Sequence, residues 1–482
     1  FNWNAAIAQD PFDKKTIYYG SQFVNKSTDK GASWQAISPD LTTNDSIKID
    51  QSKNGGISID ITGAENYCTI MCIEPSAKEK DIIWAGTDDG NVQLTKDGGK
   101  TWTNFRGKIP GFPIGGWVPQ IRASRYNAAE AFVVVNDYRR GDMKPYIFRT
   151  TDFGKTWTRM VDEKKVTGYA LTVLQDPTEP NLIFVGTEQG LFISLDNGNS
   201  FQQFKNGYPS VSTYDFAIQE READLAIATF GRALWVLDDI RPLRELAKNK
   251  GIMPVAKKLT TFSTKDAYLA EYRNAPGYEW STWGIWDAPN RPAGAAISYY
   301  VQPTVGDTSS KSKTDSVSVK IYDLKNELIR TLKWKADTGF NRNNWTLEKK
   351  GIRMPGSPRQ RGRSAEPAGR PVIPGVYKLV IALDKATDSV MVTVKPDPRL
   401  GDRTAIVVAQ DALYNRLQKT SDKLTTGLDR LTEIEEAARK MEGQLKDVEG
   451  KPADTLRKAT KILQDSVKVI REMISGKKLE RQ

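Results

Sequence analysis

The sequence predicts a mainly β protein that ends in a helical region. A short turn-forming pattern occurs four times in the first half of the chain. Strand-like segments bounded by Gly and Pro continue through the middle. After Pro398, apolar residues recur at spacings of three, four and seven, which is typical of helices that pack along one side.

The repeated pattern starts with Ser or Thr and continues through Asp, Gly and a second hydroxyl residue to an aromatic residue. Its copies are Ser27–Trp34, Thr95–Trp102, Thr150–Trp157 and Ser194–Phe201. Asp accepts hydrogen bonds across a tight turn, Gly adopts positive φ, and the aromatic ring folds back over the turn. Turn chemistry thus explains each residue type, so we expect the four acids to be structural. They are Asp29, Asp97, Asp152 and Asp196.

The segments before each turn predict three strands, so that each repeat makes a four-stranded unit. In the fourth repeat these strands are Leu171–Pro177, Leu182–Gly186 and Gly190–Ser194. A fifth unit, Tyr214–Leu237, has three predicted strands and lacks the turn. Repetition of such units predicts a β-propeller, and we expect residues 1–240 to form about five blades of a larger propeller.

The second half divides into three predicted parts. Residues 241–287 are predicted to be an irregular connector, residues 288–397 an immunoglobulin-like β-sandwich, and residues 398–482 an antiparallel helical hairpin. Gly351–Gly375 is rich in Pro, Gly and Arg and is predicted to be a long exposed loop. We interpret the apolar stripes of the hairpin as mutual packing, whereas exposed apolar residues between Leu424 and Leu445 would indicate a docked partner.

Composition excludes several kinds of chemistry. The 482 residues include no histidine, which rules out Ser-His-Asp and Cys-His catalysis. Cys68 and Cys72 lie four residues apart on one predicted strand, about 13 Å from each other, too far for a disulfide. We therefore expect free thiols, no metal site and no cofactor.

Charge and hydropathy bear on partners. The net charge of +11 lies largely in the last third, in residues such as Arg353 and Arg370. No aromatic platform accompanies it, so we interpret it as a solvated loop and charged helix surfaces and expect no nucleic-acid partner. No stretch reaches the ~20 apolar residues of a membrane helix. The chain begins at Phe1 without a recognisable signal peptide, which we interpret as a mature product or a fragment.

The four turns, with Ile37–Thr42, Gly86–Gly90 and Leu234–Asp239, resemble the BNR or Asp-box β-propeller family. The resemblance extends to sortilin-like and xyloglucanase-like bacterial exported proteins, which run to about twice this length. It implies Asp-box propeller blades, a sandwich and a helical C-terminus, with this chain as the C-terminal half. It also implies a secreted, periplasmic or cell-surface location. Phe230 stands where related sequences often carry His.

Propeller geometry predicts one candidate site. If the acidic turns join third and fourth strands, the turns between second and third strands and the links between blades share the opposite face. Candidate catalytic carboxylates there are Asp88, Asp89 and Asp137. Candidate ligand-binding residues are Trp117, Tyr138, Arg139, Arg140, Glu188, Tyr214 and Arg232, with Asp142 nearby.

Three functions fit this pattern. Rings and guanidinium groups suit a polysaccharide or peptide ligand, so the first is binding by an exported propeller protein. The second is glycoside hydrolysis of the Asp-box propeller type by paired carboxylates. The third is a structural subunit of an envelope assembly. In each case the upstream half of the same precursor or another subunit is an expected partner.

Overall fold

The computed structural model describes residues 1–50, 66–251, 257–270, 292–302, 315–355, 357 and 366–476. The chain divides into two compact units, Phe1–Val255 and Ala256–Gln482. The predicted fold class is confirmed: the chain is mainly β, with propeller-type four-stranded sheets, a β-sandwich and C-terminal helices.

The first unit contains five antiparallel sheets in chain order. Sheet 1 is β1 (Ile7–Gln9), β2 (Ile17–Gly20), β3 (Val24–Ser27) and β4 (Gln35–Ala36); sheet 2 is β5 (Ile70–Pro75), β6 (Ile83–Thr87), β7 (Val92–Thr95) and β8 (Thr103–Asn104); sheet 3 is β9 (Trp117–Ala123), β10 (Ala131–Asp137), β11 (Asp142–Thr150) and β12 (Thr158–Arg159); sheet 4 is β13 (Ala170–Gln175), β14 (Ile183–Thr187), β15 (Gly190–Ser194) and β16 (Gln202–Gln203); sheet 5 is β17 (Thr213–Gln219), β18 (Asp224–Thr229) and β19 (Leu234–Leu237). A short helix, α1 (Ser46–Ile49), follows sheet 1, and α2 (Arg241–Lys248) follows sheet 5.

Successive sheets share their hydrophobic cores. In β10, Phe132 and Val134 pack with sheet 4, whereas Val133 and Val135 pack with sheet 2. Side chains alternate across a strand, so both faces of sheet 3 are covered by its neighbours. The first strands of successive sheets contact one another from β1 to β17. The five sheets are therefore stacked radially around their first strands, as in a β-propeller.

The acidic turns join the third and fourth strands of sheets 1 to 4, as predicted. In the third turn, Asp152 Oδ1 accepts from Thr156 N at 2.9 Å and Asp152 Oδ2 accepts from the Thr156 hydroxyl at 2.7 Å. The Thr150 hydroxyl donates to Asp152 and accepts from Gly154 N at 2.8 Å. The same bonds recur around Asp29, Asp97 and Asp196.

Hydrogen bonding sets the ionisation of these acids. Bonds from Ser33 and Ser27 lower the pKa of Asp29 to about 2, and those from Thr101 and Thr95 lower the pKa of Asp97 to about 2. The carboxylates thus hold the turn while charged. Trp157 Nε1 donates to Gly154 O at 3.0 Å, so the ring folds back over its turn as expected.

The glycine of each later turn also packs against the preceding sheet. A Cβ on Gly154 would lie 2.4 Å from the Phe105 ring, and one on Gly198 would lie 2.4 Å from Met160 Cε. A Cβ on Gly99 would lie 2.5 Å from Ile37 O. The turns therefore space neighbouring sheets as well as reversing the chain.

The second unit contains a two-sheet sandwich and a helical hairpin. Its elements are β20 (Leu259–Thr261), β21 (Ala267–Leu269), β22 (Ala295–Val301), β23 (Asp315–Tyr322), β24 (Leu328–Ala336), β25 (Gly339–Trp345), β26 (Glu348–Lys350), β27 (Ala368–Pro371), β28 (Gly375–Leu383), β29 (Ala386–Pro396), α3 (Thr404–Gln444) and α4 (Lys451–Ser475). The sheets have the strand orders β20-β22-β25 and β21-β29-β28-β23-β24, and one core that includes Tyr299, Trp345 and Ile381 fills the space between them. The immunoglobulin-like topology stays a prediction.

Two expectations about the chain outside the strands were wrong in part. The connector 241–287 is not irregular throughout, because α2 packs Leu243 and Ala247 into the core beside sheet 5, and β20 and β21 pair with sandwich strands. Gly351–Gly375 is not one loop, because β27 pairs with β26. Residues 271–291, 356 and 358–365 lie outside the described residues.

The basic residues of the second unit are not simply solvated. Arg353 pairs with Asp429, and Asp411 accepts from Arg370 Nε and Lys349 Nζ at 2.7 Å each. These ion pairs join the region between β25 and β28 to α3. Both cysteines are free thiols, as expected. Among the described residues, no helix is long and apolar enough to cross a membrane.

We predict that Gly154→Ala destabilises the first unit more than Gly207→Ala. Both glycines have positive φ, +80° and +71°, so alanine strains the backbone at both positions. Only at Gly154 does the new Cβ meet a ring at 2.4 Å, whereas no atom lies within 4 Å at Gly207. We expect about 2 kcal/mol of additional destabilisation for Gly154→Ala, measured by urea unfolding. Equal losses would show that the turn does not press on sheet 2.

Candidate ligand-binding site

The predicted site residues lie where the topology expectation put them. Asp88 and Asp89 follow β6, and Asp137 to Asp142 join β10 to β11. Glu188 joins β14 to β15, and Arg232 joins β18 to β19. These turns join the second and third strands of each sheet, at the end opposite to the acidic turns.

Asp88 and Asp89 are buried and hydrogen-bonded within the chain. Asp88 accepts from Thr69 N and from the Thr69 hydroxyl, both at 2.9 Å. Asp89 Oδ2 accepts from Thr43 N and from the Thr43 hydroxyl, at 2.6 and 2.7 Å, and Asp89 Oδ1 accepts from the Thr87 hydroxyl at 2.5 Å. Burial, and secondarily the charge of Asp89, raises the pKa of Asp88 to about 7. Both acids join loops to sheet 2 and have almost no exposed surface.

Asp137 and Arg140 form a closed ion pair. Arg140 Nε and one terminal nitrogen donate to the two Asp137 oxygens at 2.6 and 2.9 Å, and the same terminal nitrogen donates to Ile114 O at 2.7 Å. Asp142 accepts from the Tyr146 hydroxyl at 2.8 Å. These predicted site residues therefore fix the β10–β11 turn and the loop before β9.

Around Arg139 the structure brings aromatic side chains together. The Arg139 guanidinium carbon lies 3.8 Å from the centre of the Trp117 ring and 4.5 Å from that of Tyr138. Tyr138 stacks on Tyr169 at 4.3 Å with an interplanar angle of 19°. The result is a continuous row of planar groups, ring, guanidinium, ring and ring.

Sheet 5 adds two more rings to this side of the unit. Tyr214 and Phe230 lie 6.0 Å apart and are both exposed. Burial raises the pKa of Tyr169 to about 12, and the nearby charges of Tyr138, Glu188 and Tyr214 contribute. The Glu188 backbone N–H donates to Tyr169 O at 3.2 Å, and β17, which holds Tyr214, packs beside β13, which follows Tyr169. We call the group the aromatic patch. It consists of Trp117, Tyr138, Arg139, Tyr169, Tyr214 and Phe230.

The patch combines apolar rings with available positive charge. Within the described part of the chain, no carboxylate forms an ion pair with Arg139, unlike its neighbour Arg140. Arg232 is exposed in the turn beside Phe230, but no contact joins its side chain to the patch among the described residues. Such a surface can stack on sugar rings or planar groups and pair with an anionic substituent.

Sequence reasoning missed Tyr169. It ends the link between sheets 3 and 4, just before β13, and Trp117 and Tyr214 lie at similar positions, at the starts of β9 and β17. That shared position was the signal available in the sequence. Phe230 drew attention only as a departure from related sequences, and no sequence signal indicated that its ring would lie near Tyr214.

A polar cavity of about 410 Å³ lies among the first strands of sheets 1 to 4. The Asp215 carboxylate accepts from Gln120 at 3.1 Å and from Arg122 at 3.0 Å, and so joins β9 to β17. Burial raises the pKa of Glu74, which lines the cavity, to about 7, although the charge of Arg122 opposes this effect.

Within the described residues no group of His, Cys, Asp and Glu could hold a metal ion.

A second cavity, of about 320 Å³, lies in the second unit between the sandwich and the start of α3. Tyr268, Leu347, Val407 and Tyr414 line it, together with the Arg370–Asp411 ion pair. No predicted site residue lies there, since all of them belong to the first unit.

Comparisons with known proteins relate part of the chain to a xyloglucanase. A segment of 106 residues is 30% identical to the oligoxyloglucan-reducing end-specific xyloglucanase of Emericella nidulans, covering 22% of this chain and 13% of that protein. The chain thus spans only about an eighth of the length of that relative. No model of a known protein family matches the chain.

Solved propeller structures show weaker likeness. The GH74 xyloglucanase of Xanthomonas campestris has a TM-score of 0.37 and 13% identity, over 79% of this chain and 70% of that one. YCF48 bound to a D1 peptide has a TM-score of 0.31 and 16% identity, over 49% and 69%. The assignment of the fold rests on the sheets described above and not on these scores.

We predict that Asp88 makes the stability of the first unit fall as the pH rises. Its folded-state pKa of about 7 lies above the unfolded value near 4, so the folded state binds the extra proton between these limits. Asp88→Asn removes this term. The free energy of unfolding of the Asp88→Asn variant minus that of the unsubstituted chain should therefore increase between about pH 4 and about pH 7, by at most about 4 kcal/mol. Urea unfolding across this range measures the difference.

Asp97→Asn serves as the control for this experiment, because hydrogen bonds hold the pKa of Asp97 at about 2. Its contribution to stability is present above pH 4 and lost as the pH falls towards 2. We therefore expect a pH-independent difference for this variant from pH 4 to pH 7, and a change of the opposite sign only between about pH 2 and pH 4. A pH-independent difference for Asp88→Asn would contradict the burial argument.

Proposed function

We propose that this chain is a propeller-type binding protein whose aromatic patch holds a polymeric ligand, a glycan or a peptide. The observation that carries the proposal is the stack of Trp117, Arg139, Tyr138 and Tyr169, continued by the exposed rings of Tyr214 and Phe230. Successive rings along a surface suit a repeating ligand, because each repeat unit meets a similar apolar plane.

The xyloglucanase similarity favours a glycan. The relative's name states that it acts on oligoxyloglucan, which is a glycan. YCF48 was solved with a peptide, which keeps a peptide ligand in the proposal. By the resemblance to exported Asp-box propellers, we place the protein outside the cytoplasm and regard the four acidic turns as Asp-boxes of that family.

The state of the acids supports binding over catalysis. Glycoside hydrolysis requires two carboxyl groups roughly 5–10 Å apart that both reach the substrate. Asp88 and Asp89 are bonded to threonines, and Asp137 is paired with Arg140. Hydrolysis by Asp88, Asp89 and Asp137 stays the alternative hypothesis, with a purely structural role in an envelope assembly as the third.

We further propose that sheets 1 and 5 pack against additional protein, either the upstream half of the same precursor or another subunit. Ile7 in sheet 1 is 71% exposed, and Leu234 and Val236 in sheet 5 are 74% and 60% exposed. On the inner sheets the corresponding positions are buried between neighbours. A further β-sheet on each side would cover these apolar faces.

We predict that Arg139→Ala and Tyr214→Ala each weaken ligand binding about tenfold, because each removes a stacking or cation–π contact. A glycan and peptide array identifies the ligand class, and calorimetry with the best hit gives the affinity. Met143→Ala is the control, since Met143 is exposed on β11 and is not part of the patch. Unchanged affinity in both patch variants would exclude the patch as the site.

The same ligand tests the enzyme hypothesis. We expect Asp88→Asn and Asp137→Asn to retain binding, with no turnover of the ligand by the unsubstituted chain. Turnover that either substitution abolishes while binding persists would instead establish a glycosidase. Absence of both binding and turnover would favour the structural role.

A further inference from the structure

The helical hairpin leaves most of its apolar residues uncovered, contrary to the expectation of mutual packing. Only Leu428, Leu431 and Val467 form a buried cluster between α3 and α4. Exposed apolar residues occur between Leu424 and Leu445, the condition under which the sequence indicated a docked partner. The hairpin therefore has much more apolar surface than its own two helices cover.

Six of the exposed apolar residues lie together on one face of the hairpin, whereas others, such as Ile462 and Val469, lie off it. Gln464 bonds to Glu442 at 2.9 Å and Arg471 to Thr432 at 2.8 Å, which sets an antiparallel register. On each helix, the exposed stripe is offset by about 40–60° from the buried residues, since most of its members lie three residues after or four before a buried one, and the sense of rotation is the same on both helices. Because the helices run in opposite directions, equal offsets place both stripes on the same side. This hairpin face consists of Ile434, Met441, Leu456, Leu463, Ile470 and Ile474.

The chemistry of the hairpin face fits helix-to-helix packing. Its large side chains are 38% to 46% exposed, and small exposed residues, Ala437, Ala459 and Ser466, lie between them. On α4 the stripe from Leu456 to Ile474 is uncharged. Large side chains beside small ones form ridges and grooves that interlock with a similar surface.

The size of the face matches a dimer interface. The 25 residues of α4 span about 37 Å, and two helices side by side are about 20 Å wide, which gives a face of about 700 Å². A standard protein interface buries about 800 Å² on each partner. The face is thus large enough for a stable pair without contributions from elsewhere.

We propose that the hairpin face binds the hairpin face of a second copy of this chain, forming a four-helix bundle across a two-fold axis. Two hairpins supply four helices, and each fills the half of the bundle core that the other lacks. A two-fold axis places the same surface on both partners, so one apolar face with interspersed small residues is self-complementary. The proposal concerns the second unit and does not depend on the ligand of the first.

The test is the mass of the chain in solution. We expect sedimentation equilibrium of the 482-residue chain, from 1 to 100 μM, to give twice the monomer mass of 53.8 kDa. The double variant Leu463→Glu/Ile470→Glu places charges on the hairpin face, and it should weaken dimerisation at least 100-fold. Both residues are exposed in the single chain, so helix content by circular dichroism should not change.

The matched control is Ile462→Glu/Val469→Glu. These residues lie on the same helix, are also exposed and apolar, and point away from α3 and off the hairpin face. We expect the control to remain dimeric. A monomeric unsubstituted chain at 100 μM would overturn the proposal and leave the face to a different partner. A dimer lost in the control but kept in the Leu463→Glu/Ile470→Glu variant would also overturn it.

Discussion

The first unit depends on one constraint: each of its inner sheets is apolar on both faces and must be covered on both sides. The alternation in β10 shows this directly, since consecutive residues belong to two different cores. Neither face of such a sheet can be left exposed to solvent, so each face needs a packing partner. Radial stacking is the arrangement that supplies a neighbour on each side, and it fixes where every loop lies.

The two ends of the stacked sheets have separate roles because of this arrangement. The acidic turns lie at one end, where each carboxylate is hydrogen-bonded within its own turn. The glycines of the second, third and fourth turns pack closely against the preceding sheet. The opposite end carries the longer and more varied loops. Rings from turns within sheets and rings from links between sheets meet there, which is why residues far apart in sequence, such as Tyr138 and Tyr169, stack on each other.

The sequence predicted most of the fold because its signals were local. Hydroxyl, Asp, Gly and aromatic residues at fixed spacing define a turn without help from the rest of the chain, and the strand order follows from the repeat. Arg139 and Arg140 are adjacent in sequence, but in the folded chain Arg139 stacks on the Trp117 ring and Arg140 pairs with Asp137. These partners come close only through folding, so the sequence could not show that the two arginines have different roles. Asp88 and Asp89 resembled catalytic acids in the sequence, because the identity of a residue does not show whether its side chain is buried.

Successive sheets of the first unit are joined mainly by side-chain contacts, whereas the hydrogen-bonded strand ladders run within each sheet. Such a stack behaves as a one-dimensional array with nearest-neighbour coupling. Local opening should then begin at the outermost sheets and move inwards, so amide hydrogen exchange should be slowest in β10 and β14 and faster in β2 and β18. The loops of the middle sheets, including those that hold Trp117 and Tyr138, would keep their geometry while an outer sheet fluctuates.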